Sequence, residues 1–292
     1  MKPLTKGHIQ KPLPMERRHF LKQAAVVLTL AVFPCAESRG ATPAANPSGS
    51  EDEHIKDRLM KQRLFDTVFE DDVFLDQALL PQLDSSLARL KKVQALVGYS
   101  HFSLLDFDEA LKAGKAYADI GEFTKPELDF LEMIFYSQGE TYGFMGEKPI
   151  KTITGKISKN KVEKIPFTGN YLYQGRPVEL YRDIQKRVGG DAVLTSGVRS
   201  IMKQFLLFLN KARESRGNLS MASRSLAPPG YSFHGIGDFD VGQRGYGPQN
   251  FTEAFTQTPV YKKLIDLGYL KFRYERDNTL GVRFEPWHIE VA

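Results

Sequence analysis

The stretch Gly230-Tyr231-Ser232-Phe233-His234-Gly235-Ile236-Gly237-Asp238-Phe239-Asp240 decides the fold of the C-terminal half of this 292-residue chain. Its last residues alternate polar and apolar side chains, which is typical of a half-buried strand. Asp238 and Asp240 then share one face of that strand. His234 precedes the strand in a turn-rich loop. The pattern predicts a strand that presents a carboxylate beside a histidine on a loop.

A second stretch, Phe284-Glu285-Pro286-Trp287-His288, repeats the pairing of an acid with a histidine near the C-terminus. On a regular strand, positions i and i+3 point to opposite faces. Glu285 and His288 can serve one site only if Pro286 breaks the regular strand. We expect such a break.

The histidines and the single cysteine limit the kind of metal site that the chain can build. Cys35 is the only cysteine and lies in a predicted targeting segment, so the ligands must be histidines and carboxylates. After residue 38 the chain holds four histidines, at positions 54, 101, 234 and 288. Catalytic zinc usually takes three protein ligands of this kind and leaves a fourth position open. From the residues alone, either Asp238 or Asp240 can join His234 and His288.

A third stretch, Ser196-Gly197-Val198-Arg199-Ser200, is followed by Gln204. In this order and at these separations, the three stretches resemble the zinc D-alanyl-D-alanine carboxypeptidases and dipeptidases of the VanY-like family, which share a fold with the hedgehog N-terminal domain. The resemblance covers about residues 180–292. It implies a zinc ion held by His234, Asp240 and His288. The family usually has one more residue between the first histidine and the aspartate, so Asp238 stays as the alternative to Asp240.

The resemblance also implies roles for other residues of these stretches. Glu285 would take the proton from the attacking water. Arg199 would stabilise the developing oxyanion or bind a substrate carboxylate. Ser232 and Gln204 would contact substrate. Arg273 and Tyr274 match an Arg-Tyr pair of the family, for which we expect a mainly structural role.

The order of patterns predicts an α+β fold, a small antiparallel sheet with flanking helices, preceded by an α-helical region. We divide the chain into a signal peptide (1–38), a linker (39–50), a helical region (51–145) and a zinc peptidase domain (146–292).

Local signals predict the limits of several elements. Thr124 and Glu127 form a capping box that starts a helix, and Asp84 is expected to cap an earlier one. We predict a strand at 193–195 and helices that begin at Ser200 and Thr258. Two strands at 269–274 and 282–286, joined by a turn at 277–278, complete the prediction.

The N-terminus resembles an export signal. Arg17 and Arg18 precede an apolar run at 24–33, which is too short to span a membrane and is followed by small residues. The paired arginines resemble a twin-arginine signal, and an ordinary secretory signal is the alternative. Cys35 is either part of the apolar segment or a lipid-attachment site. We expect a protein of the periplasm or cell envelope with no transmembrane span in its mature chain.

Net charge argues against nucleic acid as a partner. The formal charge is +5, but the chain without residues 1–38 retains 34 basic against 33 acidic side chains. The partners that the resemblance implies are peptidoglycan peptides, with D-Ala-D-Ala carboxypeptidase activity expected first. Dipeptidase or endopeptidase activity and a non-catalytic, zinc-containing wall-binding module are the alternatives. Ser158 and Lys161 match a serine-peptidase Ser-x-x-Lys element, but its companion motif stands in the reversed order. Oligomeric state is open.

Overall fold

The computed structural model describes residues 48–268 and 270–292, and these residues all belong to one compact unit. The predicted signal peptide lies outside the described residues, as does the predicted linker up to residue 47. Ser48, near the end of that linker, is the first residue of a helix. The boundary proposed at residues 145 and 146 remains a prediction.

Helices make up most of the regular structure. In the described part of the chain they are α1 (Ser48–Arg63), α2 (Leu80–Val97), α3 (Tyr99–Phe102), α4 (Phe107–Ala116), α5 (Lys125–Tyr136), α6 (Arg176–Val188), α7 (Ile201–Glu214), α8 (Leu219–Ser225) and α9 (Pro259–Asp266). Helices α1 to α5 precede every strand, as the predicted helical region requires. No helix within 48–268 or 270–292 is both long and apolar enough to cross a membrane.

Two small antiparallel sheets complete the fold. The first pairs β1 (Val162–Lys164) with β2 (Tyr171–Tyr173), and the second has the order β3 (Ala192–Ser196), β4 (Phe239–Gln243) and β5 (His288–Ile289). The α+β class with a small antiparallel sheet and flanking helices is therefore confirmed.

Side-chain caps set the start of several helices. Thr124 and Glu127 form the predicted capping box of α5, and Ser200 and Thr258 cap α7 and α9. The cap predicted at Asp84 is wrong. Helix α2 already begins at Leu80, and Asp84 lies within it, where its carboxylate pairs with Arg213 at 2.5 Å. Pro81 in the first turn, rather than an acid, accompanies the start of α2.

The buried side chains form two large clusters. Helices α2, α4, α5 and α7 enclose the first cluster, to which Phe130 and Phe205 belong. The second cluster lies between the sheet and helices α6 and α9, with Phe239 and Trp287 among its members. Helix α7 is thus held by the helical region, and just before it the Arg199 N–H donates to the carbonyl of His234 at 3.2 Å.

The two strands predicted at 269–274 and 282–286 do not form, and this prediction is wrong for the described residues of that segment. Phe272 makes a single bridge to Ile289, and the regular strand is β5 instead. The backbone of the segment bonds to other parts of the chain, since Arg283 N–H donates to the Arg224 carbonyl. Tyr274 and Val282 pack into a third cluster rather than alternating across a hairpin. Tyr269 lies outside the described residues.

Candidate metal centre and substrate cleft

Strand register brings the central carboxylate and one histidine side by side. Asp240 of β4 pairs with His288 of β5, and on its other side it pairs with Ser196 of β3. Directly paired residues of neighbouring strands point to the same face of a sheet. Phe239 and Val241 point to the opposite face and are buried in the second cluster. The alternation read from the sequence therefore places Asp240 and His288 on one surface.

His234 reaches the same point from a short 3-10 helix, Phe233–Gly235. Its Nδ1 lies 2.9 Å from the carbonyl oxygen of Gly197. Because a carbonyl oxygen only accepts, Nδ1 carries the proton and donates this bond. The unprotonated Nε2 is left facing Asp240 Oδ1 at 3.3 Å. This is the tautomer that a metal ligand bound through Nε2 needs.

His288 is oriented in the same manner by a different acceptor. Its Nε2 donates to Asp238 Oδ2 at 2.9 Å, and its Nδ1 faces Asp240 Oδ1 at 3.3 Å. Asp238 is fixed in turn by Arg273, whose Nε lies 2.5 Å from Oδ2, and by the backbone N–H groups of Val291 and Ala292. A carboxylate behind a metal-binding histidine is a common arrangement that fixes ring orientation.

His234, Asp240 and His288 can hold a metal ion. One nitrogen or oxygen atom from each lies within 4.8 Å of the others, and all three residues are buried. Zinc ligands at about 2.1 Å in tetrahedral geometry lie about 3.4 Å apart, close to the two distances of 3.3 Å measured here. Asp240 Oδ1 is buried and has no hydrogen-bond partner. An orphaned buried carboxylate oxygen is costly unless a cation satisfies it, so the donor set fits zinc.

Electrostatics at this point favour a positive charge. Burial alone would raise the pKa of Asp240, but the imidazoles of His234 and His288 hold it well below its ordinary value. Burial and the Arg199 guanidinium lower the pKa of His234, which keeps this imidazole neutral. Burial alone would lower the pKa of His288, but Asp238, Asp240 and Glu285 together hold it well above its usual value. The surrounding carboxylates thus attract a cation, whether a proton or a metal ion.

Glu285 lies beside the three candidate ligands because the chain turns at Pro286 and Trp287. The N–H of His288 donates to the Glu285 carbonyl at 3.1 Å, so the two side chains come to the same side. Glu285 Oε2 lies 3.5 Å from His288 Nδ1. This geometry is the break in the strand that the sequence required of Pro286. The carboxylate is at the edge of the centre, within reach of a water there.

Arg199 borders the centre. Its Nη2 lies 3.7 Å from Asp240 Oδ2 and donates to Ser196 Oγ, while Nη1 donates to Gln204 Oε1 at 3.2 Å. Its Nε is buried without a hydrogen-bond partner. Gln204 also donates to the Ala227 carbonyl and is 2% exposed. Gln204 therefore lies behind Arg199 and holds it, instead of facing a substrate as the sequence led us to expect.

The candidate centre opens into a cleft of about 640 Å³, within the range of ligand-binding pockets. Ser232 lines this cleft, and so do Arg199, Glu285 and the three candidate ligands. Tyr99, Ser100 and Ser103 of the helical region also line it, which no motif of the sequence had indicated. Their contribution follows from the packing of α3 against the start of α7, where Ser200 N–H donates to the Ser103 carbonyl.

The two aspartates differ in their surroundings. Asp240 belongs to the cluster, whereas both oxygens of Asp238 accept hydrogen bonds from other groups. The role of Asp238 behind His288 was missed, and so was the part that Arg273 plays in fixing it. The match of Arg273 to a family arginine was the available signal, and the shared face of Asp238 and Asp240 was a second one.

Part of this chain is similar to known proteins. Residues 177–291 match the family model VanY, D-alanyl-D-alanine carboxypeptidase. A search of curated proteins gives no match. The LdcB LD-carboxypeptidase structure is 28% identical, with 44% of this chain and 61% of that chain covered and a TM-score of 0.36. The vancomycin resistance D,D-pentapeptidase VanY, in complex with Zn(II), is 24% identical, with 44% and 76% covered and a TM-score of 0.37. This chain thus spans less than two thirds of the LdcB chain. Residues 177–291 of this chain are thus similar to the VanY-like family.

Proposed function

We propose that this protein is a zinc-dependent peptidase that hydrolyses peptidoglycan stem peptides. One observation carries the proposal. His234 Nε2 and His288 Nδ1 each lie 3.3 Å from Asp240 Oδ1, a buried oxygen without a hydrogen bond. An acid and a guanidinium, those of Glu285 and Arg199, stand next to this cluster in a cleft of substrate size.

Zinc bound by His234, Asp240 and His288 would polarise the scissile carbonyl and make water acidic enough to lose a proton near neutral pH. Glu285 takes that proton at its carboxylate and passes it to the leaving amine, so that it serves first as general base and then as general acid. Its carboxylate oxygen, 3.5 Å from His288 Nδ1, lies close enough to the cluster for this role.

Arg199 stabilises the anionic carbonyl oxygen of the substrate. Its guanidinium is held by Ser196, Gln204 and Asp240, which fixes it in the wall of the cleft before substrate arrives. A fixed charge in a buried site stabilises a developing charge without reorganisation at the moment of reaction. Ser232, in the same cleft, is the proposed second polar contact.

The bond that we propose is the one before the terminal D-Ala, as in a D-Ala-D-Ala carboxypeptidase. The description of the matching family model supports this choice. Dipeptidase and endopeptidase activities are the alternatives within the same chemistry. A non-catalytic wall-binding module is the alternative of another class, and Glu285 beside the cluster speaks against it, because a structural metal site needs no base.

The activity can be tested with the full chain loaded with zinc. We expect release of D-Ala from a muropeptide that ends in D-Ala-D-Ala, loss of this activity on chelation and recovery on addition of zinc. Glu285→Gln should retain zinc and lose hydrolysis, whereas Glu275→Gln, an exposed neighbour outside the cleft, should leave both unchanged. Wild-type hydrolysis by Glu285→Gln would exclude this mechanism. Lack of activity on every muropeptide would exclude the proposed substrate.

Export to the periplasm or cell envelope is part of the proposal, since the substrate lies there. It rests on the pattern of residues 1–38, which lie outside the described residues, and on the family match. Fractionation of cells that express the full chain should place the protein in the envelope. Replacement of Arg17 and Arg18 by Lys should keep it in the cytoplasm if the twin-arginine pathway is used.

A further inference from the structure

One wall of the cleft is a face of helix α7. Lys203, Leu207 and Lys211 line the cleft at positions i, i+4 and i+8, which lie above one another on a helix. We call these three residues the α7 wall. Each is half-buried, and they lie between fully buried residues of the same helix. With a rise of about 1.5 Å per residue, the wall extends about 12 Å along the helix axis.

The charge of the cleft changes with distance from the candidate metal centre. Asp240 and Glu285 are the only carboxylates among the described residues that line the cleft, and both belong to the centre. Lys203 forms no ion pair with any carboxylate of the described chain. Lys211 has one long ion pair, with 3.9 Å between its Nζ and Glu214 Oε2. Burial and the nearby Arg199 lower the pKa of Lys203, which means that its charge is poorly compensated. This arm of the cleft is suited to an anion.

Unpartnered hydroxyl groups accompany the two lysines. Ser100 of α3 and Ser225 at the end of α8 line the cleft, and the Oγ atoms of both are buried without a hydrogen bond. Buried hydroxyls without partners are uncommon in folded proteins. Ser100 lies outside residues 177–291, so the helical region supplies part of this arm.

We infer that the α7 wall binds the acyl portion of the substrate and selects peptides that carry a side-chain carboxylate upstream of the scissile bond. The inference rests on the proposed function, because a carboxypeptidase substrate has all but its last residue on the acyl side. Three extended residues span about 10 Å, which matches the length of the wall. The lysines bind the carboxylate.

The test measures binding, so that it does not depend on turnover. Two synthetic peptides end in D-Ala-D-Ala with a free C-terminus and differ only in one upstream side chain, a carboxylate in one and its carboxamide in the other. We expect zinc-loaded Glu285→Gln protein to bind the acid about tenfold more tightly, the range of a charge-assisted hydrogen bond. Adding Lys203→Met and Lys211→Met should bring the ratio of the two Kd values close to one.

Control variants separate charge from structure. Lys262→Met, which removes an exposed lysine of α9 outside the cleft, should keep the tenfold ratio. Lys203→Arg with Lys211→Arg should keep most of it, because the charge remains. Equal binding of both peptides by the otherwise unchanged protein would overturn the inference. A ratio that persists in the double Met variant would overturn it too. Neither result contradicts the proposed function. That function would be contradicted if the wild-type chain cleaved neither peptide.

Discussion

Replacement of Asp238 by Asn should weaken zinc binding although Asp238 is not a candidate ligand. Five donors point at its carboxylate, and they come from His288, Arg273 with two bonds, Val291 and Ala292. An amide offers only one oxygen and adds two N–H groups. In either orientation its NH₂ group would therefore face N–H donors that now bond to a carboxylate oxygen. If the NH₂ faces His288, the ring must move its proton from Nε2 to Nδ1. That proton would then occupy the Nδ1 lone pair, which faces Asp240 and is the one proposed to bind zinc.

The expected size of the effect follows from these contacts. Loss of a carboxylate behind a metal-binding histidine typically costs 10- to 100-fold in metal affinity, which is about 1.4–2.7 kcal/mol. Arg273 would lose a buried ion pair with a carboxylate whose side chain is fully buried, and such losses cost about 3 kcal/mol of folding free energy. Zinc affinity should be measured by competition with a chelator, and stability by urea unfolding. Asp191→Asn, at an exposed carboxylate, is the matched control.

A zinc affinity of Asp238→Asn within twofold of the wild type, in a folded protein, would refute the reasoning. It would mean that His288 does not need Asp238 to present Nδ1 to the cluster. A loss in Asp191→Asn of similar size would also refute it, because the effect would then not be specific to His288.

Three further changes test other parts of the structure. Gln204→Ala should lower kcat about tenfold at unchanged zinc content, because Arg199 loses its hydrogen bond to Gln204 Oε1. An unchanged kcat would show that Gln204 does not position Arg199. Gly197→Ala would place a Cβ 2.0 Å from the Tyr171 carbonyl oxygen and so displace the Gly197 carbonyl, which accepts the hydrogen bond from His234 Nδ1. We expect the free energy of unfolding, measured in urea, to fall by about 1–3 kcal/mol, and the zinc content to be lower. Thermal and chemical stability equal to wild type would contradict that close contact. Burial alone would raise the pKa of Glu127, but its hydrogen bonds with the Thr124 N–H and with Arg89 hold this pKa below the ordinary value of 4.5. The ionised carboxylate therefore stabilises the fold above pH 4.5, and this stabilisation is lost as the pH falls through the lowered pKa. The difference in unfolding free energy between wild type and Glu127→Gln should shrink between pH 7 and pH 3, and a constant difference would be contrary to this expectation.

Local signals in the sequence predicted the elements that local chemistry decides. The capping box at Thr124 and Glu127 and the cap at Ser200 depend on residues three positions apart, and both form. The failed predictions concern elements whose limits depend on distant contacts. The segment after residue 269 carries apolar residues at strand-like spacing. Its backbone, however, hydrogen-bonds to α8, and its apolar side chains pack into the third cluster.

The same distinction holds for the candidate site. His234, Asp240, Glu285 and His288 come from motifs that the sequence contains, and the structure brings them together. The packing of α3 against α7, which adds Ser100 and Tyr99 to the cleft, involves residues about a hundred positions apart. Nothing in the local sequence of α3 indicates that contact. The position of Gln204 behind Arg199 likewise depends on the Ala227 carbonyl, which only the folded chain supplies.

The metal content of the purified full chain tests the central claim most directly. After zinc loading and dialysis against metal-free buffer, elemental analysis should find one zinc per chain in the wild type and in His101→Ala, at an exposed histidine of α3. It should find almost none in His234→Ala, Asp240→Ala or His288→Ala that circular dichroism shows to be folded. Stoichiometric zinc in those three variants, or none in the wild type, would contradict the account.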